Sequence, residues 1–463
     1  MSKKIIIAGG GHGGITCGAI LAKNGYDVTL YERNDAEKMG HDWTDIFDPK
    51  AFKAVGMEMP EREMYEFKNN MTFFGPGMTT KLTQDVPEDE LEIQMERKDI
   101  YKCLIDYAVD CGVKFNYGVT VDGPIMLGNR VVGIKTDKGD VYADLVVDAC
   151  GLNSPVRMNL PEHLGIQKEA QEFERFYVYR AFYEKDMSVE VTDKYRVLMF
   201  YQGKLGISWV ADDGEYTDVL IGRFKPLDMD EVESTVASLR AEFPDLGEKK
   251  LRGGQFVQIP VRQPLGVLVA DGYAAIGDSA FMTVPIIGSG IANSMKASAI
   301  LADAVMSDKT DSYSAKTLWK YQREFYSKFG NGLAPLASIK LLLTRLKPDE
   351  LDYIFATGIL NAVDMTIDDI SKVQIAGGIG SGISIENAIS IGMLPKQPVD
   401  KYEYIGNSSL TGACAMLLSD EATEKVFELG QNMTYLELST HPGYMDEFVA
   451  ACFLPHTDAR LFD

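Results

Sequence analysis

Ile5-Ile6-Ile7-Ala8-Gly9-Gly10-Gly11-His12-Gly13-Gly14-Ile15 decides the fold. Three β-branched residues in succession read as a short strand covered on both faces. The glycines that follow contain G-x-G-x-x-G as Gly9, Gly11 and Gly14, with Gly13 between the last two. The first permits a tight turn, the second lets backbone approach a pyrophosphate, and the third lets helix and strand pack closely. Ile15 to Lys23 carries small and apolar residues at helical spacing, Asn24-Gly25 ends that helix, and Asp27 to Tyr31 alternates as a second strand. Glu32 closes this βαβ unit 18 residues after Gly14, where a carboxylate can bind ribose hydroxyls, and Arg33 follows it. The pattern specifies a dinucleotide, with its pyrophosphate at a helix N-terminus. It does not separate NAD from FAD.

A distant segment makes that separation. Gly272-Tyr273-Ala274-Ala275-Ile276-Gly277-Asp278 reads as a strand ending in Gly-Asp, followed by Pro285, Gly288-Ser289-Gly290-Ile291 and a long helix to Val305. An Asp at a strand end can accept from ribityl hydroxyls. The N-terminus of the next helix places positive potential where a flavin gathers negative charge on reduction. Here the sequence resembles the flavoprotein superfamily of p-hydroxybenzoate hydroxylase and the geranylgeranyl reductases. The resemblance covers about residues 1–345 and implies FAD, held by Gly277, Asp278, Pro285, Gly288, Gly290 and Ile291 as the second motif. It further implies that Arg97, in Glu96-Arg97-Lys98-Asp99, contacts FAD at a helix start, and that the backbone of Val121 meets adenine. Asp144 to Arg157 resembles the family's segment ending in Ser-x-x-Arg, but its usual Asp-Gly is Cys150-Gly151 here. A pyridine-nucleotide role for that segment is thereby in doubt.

Between the two halves the pattern changes. Residues 36–95 show no clean period, and residues 97–112 form a helix carrying Ile100, Cys103, Leu104, Tyr107 and Ala108 on one face. From about 165 to 265 short strands dominate (Phe176 to Phe182, Tyr195 to Tyr201, Leu205 to Val210, Thr217 to Phe224), with one helix near Met229 to Glu242. That is a mostly antiparallel platform for a small-molecule substrate. Trp209 and Tyr201 either line its pocket or pack its core. Geranylgeranyl reductases carry a Cys-containing loop after the second strand; this chain has Met39-Gly40-His41-Asp42-Trp43-Thr44-Asp45 in that place, which either caps the flavin as a polar loop or supplies His41 or Asp45 as a proton donor. No G-x-S-x-G elbow is present, and Gly377 to Gly382 lacks dinucleotide spacing. The electron donor stays open between NAD(P)H and a protein.

A net charge of −22 argues against nucleic acid as a partner and against docking on anionic membranes. The six cysteines form no C-x-x-C pair, and the five histidines show no paired spacing, so no metal site is expected. Scattered cysteines, no apolar run of spanning length and a start that reads as a strand give a cytoplasmic expectation without a transmembrane segment.

The tail differs again. Ala376-Gly377-Gly378, Ile391-Gly392-Met393-Leu394-Pro395, Ile405-Gly406-Asn407-Ser408-Ser409 and Tyr435-Leu436-Glu437-Leu438-Ser439 form a series that resembles the end of ASKHA-type reductive activators of corrinoid proteins. The first phosphate loops of such a fold are missing. Three roles are open: docking to a corrinoid protein or other redox partner, packing and oligomerisation, or a nucleotide site completed by a second chain. The expectation is an α/β protein: a discontinuous Rossmann-like FAD domain (1–164 and 266–310), an inserted antiparallel substrate domain (165–265), a helical segment (311–370) and a small C-terminal α/β domain (371–463). Its expected function is FAD-dependent reduction of an unsaturated or otherwise reducible small molecule, with flavin electron transfer to a corrinoid or methyltransferase system as the alternative.

Overall fold

The Ile5-Ile6-Ile7 run sits in the middle of a six-stranded sheet. The computed structural model describes residues 3–345, apart from 69–70, 79–80 and 84–85, and in the tail 372–376, 398–406 and a few isolated positions. Strand β1 (Lys4–Ala8) leads through the glycine turn into helix α1 (His12–Lys23) and back into strand β2 (Asp27–Glu32). β1 pairs in parallel with β2 and, on its other side, with Leu145–Asp148. Next to that strand lies Tyr273–Ala275, and next to β2 lies Lys114–Tyr117. Ile5, Ile6 and Ile7 are fully buried. This explains an unbroken apolar run, since both faces of a central parallel strand are covered.

The helix after the return strand, Ile291–Ser307, packs against α1. Thr16 Oγ1 donates to Ser298 Oγ at 2.8 Å, and a Cβ on Gly13 would lie 2.9 Å from Ser294 O. The two halves read from sequence are therefore one packed body. The helix Ala315–Phe325 fixes the return strand further, its Tyr321 hydroxyl donating to Ala275 O at 2.9 Å.

The substrate platform is a seven-stranded sheet in the order Leu246–Pro260, Arg175–Lys185, Tyr216–Arg223, Gly206–Asp212, Tyr195–Met199, Thr72–Phe74, Lys81–Thr83. It is antiparallel except where Thr72–Phe74 runs parallel to Tyr195–Met199. Helix Met229–Glu242 covers one face, on Val210, Val219 and Ile221. The other face gathers Phe176, Val178, Phe182, Met199 and Ile207 around Trp43. Two elements escaped the sequence reading. The 15-residue edge strand Leu246–Pro260 buries only its two end residues and carries Glu248, Lys249, Lys250 and Arg252, so it lacks the apolar alternation that marks strands. Residues 36–95, without period in the sequence, hold short strands of three or four residues, among them Thr44–Phe47, Tyr65–Phe67 and Ile93–Glu96 in a sheet of their own.

The chain divides into two units, Met1–Ala356 and Thr357–Asp463. In the second, Val373–Ala376 pairs in parallel with Tyr402–Gly406. The motifs at 377–382, 391–395 and 435–439 lie outside the described residues. Among the described residues, no helix is long and apolar enough to cross a membrane.

Candidate functional site

The cradle begins where β1 ends. Gly9 has φ +88°, and a Cβ there would stand 2.6 Å from Ala149 O. Only glycine fits this turn. Gly11 is the N-cap of α1 and offers no side chain, and the first turn carries no acidic residue. The leading amides of α1 are left to meet an anion. Gly14 supplies the close packing expected of it, since a Cβ would lie 2.6 Å from Ala149 Cβ and 2.9 Å from Ile7 Cγ2. Glu32 is buried at the end of β2 and accepts from Gly10 N at 2.8 Å and Asn34 N at 2.9 Å. Arg33 beside it is exposed. Val119 N donates to Glu32 O at 2.9 Å, which brings the strand starting at Val121 alongside the same end of β2.

The return segment supplies the other wall. Gly277 has φ +65° and opens a tight turn through Asp278 to Ala280. Pro285 and Gly288 (φ +76°) form a loop closed by Gly288 N to Val284 O at 2.8 Å. Gly290 caps Ile291–Ser307 without a side chain, and a Cβ there would stand 2.8 Å from Thr283 Cγ2 and 3.5 Å from Asp278 Oδ1. Asp278 makes no side-chain hydrogen bond among the described residues, and burial raises its carboxyl to about 6 even with Arg97 and Arg157 nearby. A half-buried carboxylate without donors among the described residues, beside a second open helix start, suits a ligand rich in hydroxyls.

Arg97 joins these walls. It opens helix Arg97–Asp110 and holds Asp45 in a bidentate pair, Nε to Oδ2 at 2.6 Å and Nη2 to Oδ1 at 2.5 Å. Although burial opposes it, this pairing keeps the Asp45 carboxyl below its ordinary value. Gly40 (φ +82°) lets the loop close, because a Cβ would meet Arg97 and Tyr101 at 2.9 Å. His41 packs near Trp43, ring centroids 5.3 Å apart, and burial lowers its pKa, as does Arg97. Arg97 thus stands in the field of both Asp45 and Asp278, and His41 lies in the field of Arg97 and Asp45.

Sequence reasoning passed over several members. His12 fills a variable place in the glycine motif, yet its ring stacks on Tyr101 at 4.6 Å and its buried Nε2 has no partner. Burial, then Arg97, lowers its pKa to about 4, so it stands neutral at the head of α1. Arg157 of the Ser-x-x-Arg segment is fully buried and donates to Lys168 O at 3.0 Å and to Ser279 O at 2.5 Å, bracing the Asp278 turn from behind. Ser154 Oγ accepts from Arg157 N and donates to Asp148 Oδ2.

From Arg97 a ladder of rings and cations runs to the substrate sheet. Trp43 lies 5.1 Å from Arg97 and 5.9 Å from Arg180; Trp209 lies 5.7 Å from Arg180 and 3.9 Å from the Lys68 ammonium. Arg180 pairs with Asp218 and donates to Thr44 Oγ1 at 2.6 Å. Burial pushes the Lys68 pKa well down. Tyr201 belongs to the opposite core, under helix Met229–Glu242, so of the two aromatics singled out only Trp209 faces the Trp43 side.

Comparison with known proteins agrees with this geometry. A family model for an NAD(P)-binding Rossmann-like domain matches residues 7–46, and one described as the C-terminal domain of RACo, the ASKHA domain, matches residues 353–463. The chain is 24% identical over 375 residues to a digeranylgeranylglycerophospholipid reductase of Sulfolobus acidocaldarius, covering 78% of this chain and 82% of that protein. For the protein of that name from Methanocaldococcus jannaschii the identity is 26% over 364 residues, covering 75% and 88%. A geranylgeranyl bacteriochlorophyll reductase-like structure from Thermoplasma acidophilum superposes with TM-score 0.66 at 18% identity, covering 79% of this chain and 94% of that one. The p-nitrophenol 4-monooxygenase of Pseudomonas putida gives 0.58 at 16% identity, covering 76% and 94%. The residues in place fit FAD: glycine turns at Gly9 and Gly14 where a Cβ would clash with Ala149, two helix starts with open amides, and the half-buried Asp278 carboxylate with no donor among the described residues. The chain is an FAD-dependent oxidoreductase, similar to the geranylgeranyl reductases over some three quarters of its length and to an ASKHA domain over its last quarter.

Proposed function

We propose that the protein reduces an unsaturated or otherwise reducible small molecule held between the cofactor cradle and the Trp43–Trp209 face of the substrate sheet. The observation that carries this reading is the continuous wall from Arg97 through Trp43 and Arg180 to Trp209, which joins cradle and sheet. FAD, when bound, supplies hydride chemistry at its N5. The chain's own residues do the rest. Gly9, Gly11, Gly13 and Gly14 admit the pyrophosphate to the head of α1, Glu32 and Arg33 frame the ribose, and Val121 flanks the adenine. Gly277, Asp278, Pro285, Gly288, Gly290 and Ile291 take the ribityl chain and the polar edge of the ring. Asp45 holds Arg97 in place, which makes it an acceptor and not an acid. His41, without a carboxylate partner, is the group to move a proton to the substrate.

Anaerobic reduction of the bound flavin, followed by reoxidation with unsaturated compounds, tests the function. Reoxidation faster than in buffer is expected, and its absence across substrates of varied charge sinks the idea. The His41→Ala variant is expected to retain FAD and lose about 10²-fold in reoxidation rate.

The match of residues 353–463 favours a second role for the tail, docking to a corrinoid protein or another redox partner. Capture of a corrinoid protein by the full chain but not by a chain ending before residue 353 is the expected result. Equal capture by both removes that role.

A further inference from the structure

His41 is the group assigned to move a proton, yet no polar partner grips its ring. Among the described residues the ring makes no hydrogen bond, and its centroid lies 5.3 Å from that of Trp43. A side chain of this kind is placed by its backbone, and that backbone is held on both sides. On one side Gly40 packs closely on Arg97 and Tyr101. On the other side Asp42 is tied to the edge strand Leu246–Pro260 of the substrate sheet, 210 residues away in sequence.

Three hydrogen bonds make the tie. Asp42 Oδ1 accepts from Arg252 Nη1 at 2.7 Å, Asp42 Oδ2 accepts from Gly253 N at 3.1 Å, and Asp42 N donates to Gln255 Oε1 at 3.1 Å. The strand bulges at this point. Gly253 and Gly254 have φ +76° and +87°, and the pairing with Arg175–Lys185 steps from Gln255 directly to Gly253. A bulge re-aims groups out of the ladder, and here an amide goes to Asp42. Arg252 is itself steadied. Glu96 takes its guanidinium in a fork, Nη2 to Oε1 at 2.5 Å and Nη1 to Oε2 at 3.2 Å, and the Phe182 ring centroid lies 3.9 Å from it. Glu96 is the N-cap of the helix that Arg97 opens. One guanidinium on the substrate sheet therefore grips the neighbours of both His41 and Arg97. A lone exposed ion pair adds little stability, but a planar fork shared by two carboxylates fixes geometry.

We propose that Arg252 is a positioning residue: standing on the substrate sheet and steadied by Glu96, it ties down Asp42 and so holds His41 beside Arg97. This rests on the proposed proton-donating role of His41 and adds what puts that residue in place. Burial first, then Arg97 and Arg33, hold the His41 pKa below the ordinary 6.5, while Asp45 opposes them. Asp42, Glu96 and Arg252 are the charges that the clasp brings to the loop. Once protonated, a ring held this way gives up its proton more readily than a free histidine.

The test reads the titration of His41 in FAD-loaded full-length protein with 15N in its histidine rings. Loss of one signal in His41→Gln identifies it among the five histidines. Its midpoint is expected below 6.5 in the parent. Arg252→Met and Asp42→Ala both release the loop, and each should raise the midpoint by about half a pH unit or more toward the ordinary value. Charge alone predicts otherwise, because losing a cation raises a neighbouring histidine and losing an anion lowers it. The proposal is overturned if the two variants shift in opposite directions, if either leaves the midpoint where it was, or if the parent already titrates at 6.5. Asp42 is half exposed, so Asp42→Ala keeps the protein folded and decides the matter alone should Arg252→Met fail to fold. The two readings fail separately. Absence of substrate-driven reoxidation overturns the reductase reading and leaves these midpoints standing, since they need no substrate.

Discussion

The cofactor cradle and the substrate wall bury polar groups in opposite senses. In the cradle the backbone does the work: glycine turns and two helix starts present open amides, and the side-chain charge left without a hydrogen bond among the described residues is an acceptor, Asp278. In the wall the side chains do the work: Arg180–Asp218 is closed on itself, and the groups left over are donors on Lys68, Trp43 and Trp209. One region is open to a ligand bearing phosphates and hydroxyls; the other pairs its guanidinium from within. The difference shows how a shared fold keeps its cofactor and varies its substrate. A backbone cradle admits no change at its tight glycines, whereas one side chain resets the charge of a pocket.

The sharpest break in this contrast is Gly9→Val. At φ +88°, with backbone oxygen 2.6 Å from the new Cβ, the turn cannot hold its path, and FAD should be absent from the purified protein by absorbance. Asp218→Asn comes next. It strands a buried guanidinium and should cost about 3–5 kcal/mol in denaturant unfolding, while FAD content per folded molecule is kept.

Asp278→Asn sharpens the contrast, because it should separate binding from stability. The folded carboxyl titrates near 6 and the unfolded one near 3.8, so the native state holds the proton longer. Stability of the cofactor-free protein therefore falls as pH rises from about 4 to 6 and stays lowered above that. The amide variant escapes this fall. It should melt above its parent at pH 7.5 by about 1–2 kcal/mol, nearly match it at pH 4, and bind FAD about tenfold less tightly. A melting gap that does not grow between pH 4 and 6 would contradict an unpartnered carboxylate. At the small end, Lys102→Ala removes an exposed i,i+4 pair with Asp106 and should leave the thermal midpoint unchanged within measurement error in a melting experiment.

The cradle was legible in the sequence and the wall was not, for the same reason. Gly9 to Gly14 and Gly277 to Gly290 each act within a few residues, so spacing alone reports them. Met229–Glu242 was legible as well, as the one helix that interrupts a run of short strands. Arg180, Asp218 and Thr44 meet across separations of 38 and 136 residues, and nothing local marks them. Lys68 reads as an ordinary solvated lysine until the sheet closes over it. Asp45 has the right chemistry for a proton donor and the wrong neighbour, since Arg97 claims both its oxygens. His12 occupies a place that any residue can fill in the motif, so its stacking on Tyr101 left no trace in the pattern.

The parallel pairing of Leu145–Asp148 with Tyr273–Ala275 bears on how this molecule is made. Everything between β1 and the return segment, including the whole substrate sheet, is synthesised before the second wall of the cradle exists. At bacterial-type elongation rates of about 5–20 residues per second, some 15–60 seconds separate Gly9 from Gly290. During that interval the nascent chain has a strand, a helix and an open glycine turn, but no partner helix for α1 and no Asp278. Flavin capture is therefore a late event in biogenesis, and ribosome-bound chains stalled before residue 290 should emerge colourless.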